Sequence, residues 1–329
     1  MIRFHSPTAV LLPVAIAIGL TVGMACPNAG ESFSVWIDPL VLTLLGLIFF
    51  EVRLSPLREA SRHLRFLSLA WVANFFVVPL LGWGIASVFF KDQTALSTGL
   101  LLYLLFPCTD WFLGFTRMAR GDVALGTILL PINLLSQILL YPLYLTAFIG
   151  PIADINRTSL WGMVIYWFIV PLAVAWVARI VLRRTLKRAH FEKLAQMTGT
   201  MVPWVLSALV LSIFVCHTST ITEHLGAFAW ILLAVFLFFV VTWILGELLA
   251  RKFQLSHPQH VLLSMTTAAR NAPLILGLTA VAMPDQPLVY AALIIGMLVE
   301  FPHLTMLSLM LDRKDRPAKS LVNQSSAVS

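Results

Sequence analysis

The stretch that decides the fold is LLYLLFPCTDWFLGFTRMARGD, residues 101–122. An apolar run stops at Pro107, passes through a Cys-Thr-Asp sequence, and resumes at Trp111. In a water-soluble protein this pattern is typical of a loop between two core helices. At bilayer depth a helix break and an acidic side chain are both costly, and they indicate a functional site. The meaning of this stretch therefore depends on whether the chain around it lies in a membrane.

The composition places the chain in a membrane. Of its 329 residues, 59% are hydrophobic and 11% are charged, whereas soluble domains carry about 25% charged residues. So few charged side chains cannot cover a protein surface against water, and we predict an all-α polytopic membrane protein. The three cysteines, Cys26, Cys108 and Cys216, are too few and too scattered to form a disulfide framework or a metal cluster. We expect neither a metal nor a cofactor.

Apolar stretches long enough to span a bilayer recur ten times, since about 20 residues are needed for one crossing. They lie at residues 8–25, 35–50, 66–90, 95–118, 123–149, 159–182, 202–218, 225–249, 259–283 and 287–311. The polar loop 150–158 divides them into five and five, and because five is odd the second set enters the membrane in the opposite sense. We predict two inverted repeats, residues 1–150 and 151–311, followed by a polar, disordered cytoplasmic tail at 312–329.

The distribution of basic residues tests this topology. With a cytoplasmic N-terminus and ten crossings, 19 of the 22 Lys and Arg residues fall on the cytoplasmic side. Two, Lys91 and Arg157, fall on the opposite side, and Arg270 lies within a span. Such an asymmetry is the positive-inside pattern of membrane proteins, so the net charge of +7 needs no nucleic-acid partner. We predict a multi-pass protein of a bacterial-type inner (plasma) membrane, with both termini cytoplasmic.

A second break, Thr-Thr-Ala-Ala-Arg-Asn-Ala-Pro at residues 266–273, interrupts the ninth span as Pro107 interrupts the fourth. Pro107 removes a backbone donor, and Asn271 can cap a new half-helix that has Pro273 in its first turn. Corresponding interruptions in two halves are typical of secondary transporters with inverted repeats. For the first break, a simple proline kink with Asp110 as a local cap is the alternative.

Several side chains at these breaks and in the tenth span can carry function. An arginine at mid-membrane has an acidic partner or binds an anion, and Asp110 and Glu300 are the candidate partners of Arg270. A permanent Arg270–Asp110 pair would only hold the breaks together. Glu300 is a lone carboxylate that can carry a proton, and His303, one turn further on, either relays that proton or packs. Cys108 is either a soft ligand or a small packing residue.

The chain has no recognisable catalytic motif. We find no Gly-x-Ser-x-Gly, no His-Glu-x-x-His and no pair of membrane aspartates. A membrane-embedded protease or lipid transferase would need one of these constellations. We therefore expect a transporter that acts on a small molecule or ion within the lipid bilayer, and not an enzyme.

Together these features resemble the bile acid:sodium symporter superfamily, and within it the arsenical-resistance (arsenite efflux) permeases. The resemblance is carried by Cys108 at the first break, by Thr-Thr-Ala-Ala and Asn271 at the second, and by Leu-Val-Glu-Phe-Pro at 298–302. It implies broken fourth and ninth helices that cross, in a core that moves against a panel of the remaining spans. It also implies proton-coupled arsenite efflux, in which the Cys108 thiolate binds thiophilic arsenic and Glu300 loads and unloads a proton.

Two departures from the family pattern qualify this expectation. Sodium-coupled bile acid carriers have Glu-Thr-Gly-x-Gln-Asn at the second break, where this chain has Thr266 in place of the glutamate and Arg270 in place of the glutamine. Sodium coupling at the usual site is therefore not expected. Arg270 and Asp110 also depart from the arsenite branch, which leaves a carrier of a small organic or inorganic anion as the alternative.

The candidate site residues fall into three groups. Substrate binding is predicted for Cys108, Thr109, Arg270 and Asn271. Proton coupling is predicted for Glu300 and Asp110, and the structural helix breaks are Pro107 and Pro273.

Overall fold

Helices form every regular element in the part of the chain that the structure describes. The computed structural model describes residues 7–26, 28–51, 55–109, 111–149, 169–283 and 285–325. The helices of the first half are α1 (Pro7–Ala25), α2 (Ala29–Glu51), α3 (Leu64–Val72), α4 (Val78–Phe89), α5 (Thr94–Leu105), α6 (Phe112–Met118) and α7 (Val123–Tyr144). A 3₁₀ helix at Ser55–His63 precedes α3, and π-helical turns lie at Ala73–Val77 and Leu145–Ile149.

The helices of the second half are α8 (Val170–Thr185), α9 (Arg188–Cys216), α10 (Thr218–Glu223), α11 (Leu225–Lys252), α12 (His257–Ala268), α13 (Ala272–Ala282) and α14 (Pro287–Ser325). The last helix, α14, continues to Ser325, and the predicted disordered cytoplasmic tail at 312–329 stays a prediction. The polar loop 150–158, the predicted division between the repeats, lies outside the described residues.

Six described helical segments are long and apolar enough to cross a membrane, namely Ala29–Glu51, Pro56–Phe89, Val123–Phe148, Arg188–Cys216, Leu225–Lys252 and Pro287–Asp312. The predicted fourth and ninth spans are each divided in two, α5 with α6 and α12 with α13. No piece of either span therefore reaches full length, as expected for helices that break inside the bilayer. The chain is an all-helical polytopic membrane protein, while its ten crossings and their inverted relation stay predictions.

The distribution of side chains agrees with a bilayer as the solvent. Large apolar residues lie on the outside, where Val35 is 73% exposed, Val88 80% and Leu139 66%. The charged side chains of Arg270 and Glu300 are at 0% exposure. A protein in water shows the opposite arrangement, because burial of apolar surface drives its folding. Here the outer surface suits acyl chains, and the polar groups are collected inside.

The helices divide into two groups by their contacts. In the first group, α1, α2, α8 and α9 pack mainly on one another. The second group contains α4, α5, α6, α11, α12 and α14, and α13 packs on both α2 and α14. We call the first group the panel and the second group the core, after the arrangement that the family resemblance implies, which itself stays a prediction. The two broken spans belong to the core, with α13 facing the panel.

A π-helical turn at Ala73–Val77 lies within the third predicted span. A π turn widens a helix locally and is frequent at functional sites. The Tyr144 hydroxyl, at the end of α7, donates to the carbonyl of Phe75 within this turn. Asn74 is fully buried, and its Nδ2 donates to Thr266 Oγ1 at 3.0 Å. The widened turn therefore connects the third span to α7 and to the end of α12.

The close approach of α5 to α14 generates a stability prediction. A Cβ atom at Gly99 would lie 2.7 Å from the Ala292 Cβ and too close to the Val289 carbonyl. We expect Gly99→Ala to destabilise the protein by about 1–3 kcal/mol, because the two helices must move apart. Thermal unfolding of the purified protein in detergent measures the change.

The matched control is Gly84→Ala, also in a helix, where a Cβ meets no atom within 4 Å. We expect it to leave stability unchanged or to raise it by up to about 1 kcal/mol, since alanine is the better helix former. Equal unfolding temperatures for the two variants would contradict the close packing of α5 on α14.

Candidate functional site

The two broken spans meet at their breaks. Pro107 and Arg270 form an isolated antiparallel β-bridge. The Cys108 N–H donates to the Ala269 carbonyl at 2.9 Å, and the Asn271 N–H donates to the Phe106 carbonyl at 3.0 Å. The two breaks therefore lie against each other, at a point that we call the crossing, and each break supplies backbone hydrogen-bond partners to the other.

The local sequence explains why each helix ends where it does. Phe106, the residue before Pro107, is extended (φ −114°, ψ 125°), which is the conformation that a following proline imposes. Ala269 is also extended (φ −72°, ψ 136°). After the second break, Pro273 lies in the first turn of α13, where its missing N–H costs nothing. The first half-helix of the fourth span thus ends at Leu105, just before Pro107, and α13 begins at Ala272 with Pro273 in its first turn.

The Arg270 side chain donates to open carbonyls at the C-terminal ends of α5 and α12, the first half-helix of each broken span. Its Nη1 donates to the Leu104 carbonyl of α5 at 3.1 Å. Three carbonyls at the end of α12 also accept from this side chain. Nη2 donates to the carbonyls of Thr266 at 3.1 Å and Thr267 at 2.6 Å, and Nε donates to the carbonyl of Ala268 at 3.4 Å. A helix C-terminus carries about half a negative charge. Two such ends therefore balance one guanidinium.

This arrangement differs from the predicted partner of Arg270. Within the described residues no carboxylate forms a salt bridge with the guanidinium, which instead lies over the Phe238 ring at 5.4 Å. Glu300 bonds to the Arg270 backbone and not to its side chain. Asp110 lies outside the described residues, so its roles in capping, pairing and proton coupling stay predictions. Among the described residues, open backbone carbonyls accept the hydrogen bonds of the guanidinium, and the predicted acidic or anionic partner of Arg270 stays a prediction.

Glu300, on α14, receives three hydrogen bonds at the crossing. Its Oε1 accepts from the Arg270 N–H at 2.9 Å and from Trp111 Nε1 at 3.0 Å. Its Oε2 accepts from the Tyr103 hydroxyl at 3.1 Å. Three donors around two oxygens suit a deprotonated carboxylate, which can only accept. A proton can be accommodated on Oε2, because the Tyr103 hydroxyl can turn to accept whereas the two N–H groups cannot.

Two residues of this cluster, Tyr103 and Trp111, were missed by the sequence reasoning. Each is an aromatic residue with a polar tip, and they flank the first break within an apolar run. Buried Tyr and Trp side chains usually find a partner for that tip, which is the signal that was available. Gly296 leaves room for the Tyr103 ring to pack against α14, since a Cβ there would lie 2.8 Å from the ring.

Asn271 and Thr109 meet at the crossing, as two members of the predicted substrate group. Asn271 Nδ2 donates to Thr109 Oγ1 at 3.0 Å and to Gln137 Oε1 at 2.8 Å. Gln137 Nε2 in turn donates to the Pro107 carbonyl at 2.8 Å. Asn271 stands at the N-cap position of α13, but its side chain makes no capping hydrogen bond. The predicted capping by this side chain is therefore wrong, and the amide ties both breaks to α7.

Cys108 is fully buried beside this network. Its carbonyl accepts from Asn133 Nδ2 at 3.4 Å, and the same Nδ2 lies 3.3 Å from Thr266 Oγ1. His303, a candidate proton relay, stacks on the Phe239 ring with centroids 4.1 Å apart and planes 7° apart. Of the two predicted roles of His303, packing is the one that this contact supports. Of the predicted site residues that the structure describes, Cys108, Thr109, Arg270, Asn271 and Glu300 all gather at the crossing.

The role of Arg270 can be tested through stability. Arg270→Gln leaves the carbonyls of two helix ends without their donor, and a buried polar group left unpaired costs about 1–3 kcal/mol. We expect a loss of about 3 kcal/mol, with partial recovery in Arg270→Lys because lysine keeps the charge but not the fork of donors. Thermal unfolding in detergent measures both variants.

Arg117→Gln is the control, because this arginine is exposed at the end of α6. We expect it to unfold at the wild-type temperature. If Arg270→Gln were as stable as this control, the guanidinium would not be what closes the two helix ends.

Comparison with known proteins places this site in a family context. A model of the Sodium Bile acid symporter family matches residues 39–224. The chain is similar to the arsenical-resistance protein Acr3 of Corynebacterium glutamicum, with 22% identity over 81% of this chain and 76% of that protein. It is also similar to the uncharacterized protein YbaS of Bacillus subtilis, with 23% identity over 92% of this chain and 96% of that protein.

A plant protein shares a shorter region. The probable sodium/metabolite cotransporter BASS2 of Oryza sativa subsp. japonica, a chloroplastic protein, is 24% identical over 46% of this chain and 36% of its own length. The family match covers more than half of the chain and includes the first break with Cys108. An all-helical membrane fold with crossed, broken helices accompanies that match. The chain belongs to the Sodium Bile acid symporter family.

Proposed function

We propose that this protein is a proton-coupled secondary transporter that exports arsenite from the cytoplasm. It crosses the bacterial plasma membrane ten times as two inverted repeats, and both termini are cytoplasmic. Support for the substrate comes from the similarity to an arsenical-resistance protein and from the chemistry of the crossing. Support for the orientation comes from the 19 basic residues on one predicted side against two on the other.

The observation that carries the proposal is the attachment of Cys108 and Glu300 to the same short segment. The Cys108 N–H bonds to the Ala269 carbonyl at 2.9 Å. The next amide, that of Arg270, bonds to Glu300 Oε1 at 2.9 Å. The backbone of the residue that carries the thiol and an ionisable carboxylate thus bind the same peptide unit of the second break. Any movement of that unit acts on both groups, which is what coupling of substrate to proton requires.

The thiol suits trivalent arsenic. Arsenous acid and the Cys108 thiol form an As–S bond with the release of one water molecule, and the addition of water reverses the reaction. One such bond is selective for a thiophilic element, and it is weaker than the multiple thiolate contacts of a storage site. A transporter needs this balance, because it must release what it binds.

The carboxylate suits a proton. Glu300 is buried, with Tyr103 on its Oε2 able to donate to the carboxylate or accept from the carboxylic acid. In the proposed cycle, the deprotonated form is held by the donors of both breaks. Protonation weakens that hold and lets the core move against the panel, and arsenite leaves in exchange for the incoming proton.

Arg270 supports a cycle that does not use sodium. Its guanidinium already occupies the position between the C-terminal ends of α5 and α12. A free cation could not bind these carbonyls while the guanidinium occupies them, and the positive charge of Arg270 would repel it. Although the names of the family and of the rice relative refer to sodium, we therefore do not propose sodium coupling for this chain.

The alternative is a carrier of a small organic or inorganic anion, with Arg270 holding the substrate charge. The guanidinium donors are engaged by four carbonyls. An anion would have to compete with these contacts, so the structure favours this alternative less. Accumulation of a labelled carboxylate instead of arsenite under the same gradient would select it.

Transport in everted membrane vesicles tests the main proposal. With an imposed proton gradient, we expect wild-type vesicles to accumulate labelled arsenite. We expect Cys108→Ser to lower the initial rate at least about tenfold, because a hydroxyl does not replace a thiol for arsenic. Glu300→Gln should lose uphill accumulation but keep arsenite exchange, since the amide can mimic only the protonated form.

Cys216→Ser is the matched control. Its thiol donates to the Gly30 carbonyl in the panel, at 3.2 Å and away from the crossing. We expect this variant to transport as wild type does. Wild-type rates in Cys108→Ser, or no arsenite movement in the wild type, would rule out the proposed substrate or its binding residue.

Ion replacement tests the coupling. We expect arsenite uptake to be unchanged when sodium is replaced by N-methylglucamine and to collapse when a protonophore dissipates the proton gradient. The reason is that Arg270 fills the helix ends with a tethered cation. Uptake that required sodium would contradict this role of the guanidinium.

A further inference from the structure

Two amide side chains from different helices meet one threonine hydroxyl beside the first break. Thr266 Oγ1 accepts from Asn74 Nδ2 at 3.0 Å and from Asn133 Nδ2 at 3.3 Å. Asn133 Nδ2 also lies 3.4 Å from the Cys108 carbonyl. Asn74, Asn133 and Thr266 are each at 0% exposure. The cluster therefore connects α7, α12 and the π-helical turn at Ala73–Val77 at the level of Cys108.

Both asparagine side-chain oxygens of this cluster lack a hydrogen-bond partner among the described residues. Asn74 Oδ1 and Asn133 Oδ1 are buried without a hydrogen-bond partner in the part of the chain that the structure describes. The orientation of Asn133 is set by the Cys108 carbonyl, which needs the N–H side of the amide. If the oxygen and nitrogen of the Asn74 amide exchanged places, Nδ2 would be the atom without a partner. Because buried polar groups are normally paired, two open positions at one cluster call for a ligand.

The charges around the cluster indicate which ligand. Arg270 Nη2 donates to the Thr266 carbonyl at 3.1 Å, so a fixed positive charge lies on the residue that joins the two amides. This charge disfavours a second cation, and amide oxygens, which only accept, do not attract an anion. No carboxylate of the described residues hydrogen-bonds to Asn74, Asn133 or Thr266. What fits is a neutral molecule that donates hydrogen bonds.

We propose that Asn74 and Asn133 bind two hydroxyl groups of a neutral, hydroxylated substrate whose central atom is held by Cys108. The inference rests on the proposed function and deepens it. Arsenous acid is neutral near pH 7 and has three hydroxyl groups. Exchange of one hydroxyl at the Cys108 sulfur releases water and leaves two, which matches the number of open amide oxygens.

The substrate reaches these groups only when the helices around the crossing separate. Cys108 is as fully buried as the two asparagines, so the conformation described here is closed over the cluster. The break that carries Cys108 and the end of α12 that carries Thr266 belong to different half-helices. A movement of the helices at the crossing therefore changes access to the two asparagine oxygens, the acceptor pair, together with access to the thiol.

A series of arsenicals with fewer hydroxyls tests the acceptor pair. Methylarsonous acid has two hydroxyls, so after exchange at the thiol it retains one and satisfies only one amide. In everted vesicles, we expect the wild type to have a KM for arsenite about threefold to tenfold lower than for methylarsonous acid, the effect of one hydrogen bond. In Asn74→Leu and Asn133→Leu the two KM values should become equal.

The readout is a ratio within one variant, so it does not depend on how much folded protein reaches the membrane. If a leucine variant does not accumulate, Asn74→Ser and Asn133→Ser serve instead, since serine is polar but too short to place its oxygen at the same point. Ser212→Ala is the control, because its hydroxyl bonds to Ala208 within α9 of the panel. We expect it to keep the wild-type ratio.

The outcomes separate this inference from the proposed function. Arsenite transport with an unchanged KM ratio in all asparagine variants would overturn the acceptor pair and leave arsenite export standing. No transport of either arsenical by the wild type would overturn the function itself. Sodium-dependent transport that loses its sodium dependence in the asparagine variants would show that the cluster binds a cation, and would also overturn the inference.

Discussion

The structure depends on two broken helices that satisfy each other's backbone. Inside a bilayer no water is available to the open N–H and C=O groups of a helix break. Here the Cys108 and Asn271 amides donate to the carbonyls of Ala269 and Phe106, and the Arg270 guanidinium takes the carbonyls that remain at the helix ends. Neither break is stable in lipid without the other, so the two halves of the chain are obliged to meet at this point.

Charge is arranged around the crossing in two parts. The cation of Arg270 lies at the C-terminal ends of α5 and α12, where the helix dipoles are negative. The carboxylate of Glu300 accepts from the Arg270 amide just before α13 and from the Trp111 indole just before α6. Each charged group thus serves both breaks at once. A protonation event at Glu300 acts on the side of the crossing where the second half-helices begin, while Arg270 keeps the first half-helices fixed.

Most of the candidate site could be predicted from the sequence, but fewer of its contacts. Breaks and ionisable residues in apolar runs are conspicuous, so Cys108, Arg270 and Glu300 were all identified, and all of them lie at the crossing. The polar tips of Tyr103 and Trp111 were missed, because an aromatic residue in a membrane helix is usually at a lipid interface or packed. Asn74 and Asn133 carry no charge, and their proposed role depends on their contacts with Thr266 and Cys108, which only the structure shows.

The sequence by itself determined that the chain lies in a membrane, where its helices break, and which side chains are too polar for lipid. These properties follow from composition and from proline and charge at single positions. Only the tertiary structure decided what Arg270 binds. An acidic partner would be visible as an acidic residue, and the sequence therefore favoured one. A backbone carbonyl exists at every residue, and it becomes available only where a helix ends and another chain segment approaches it in space.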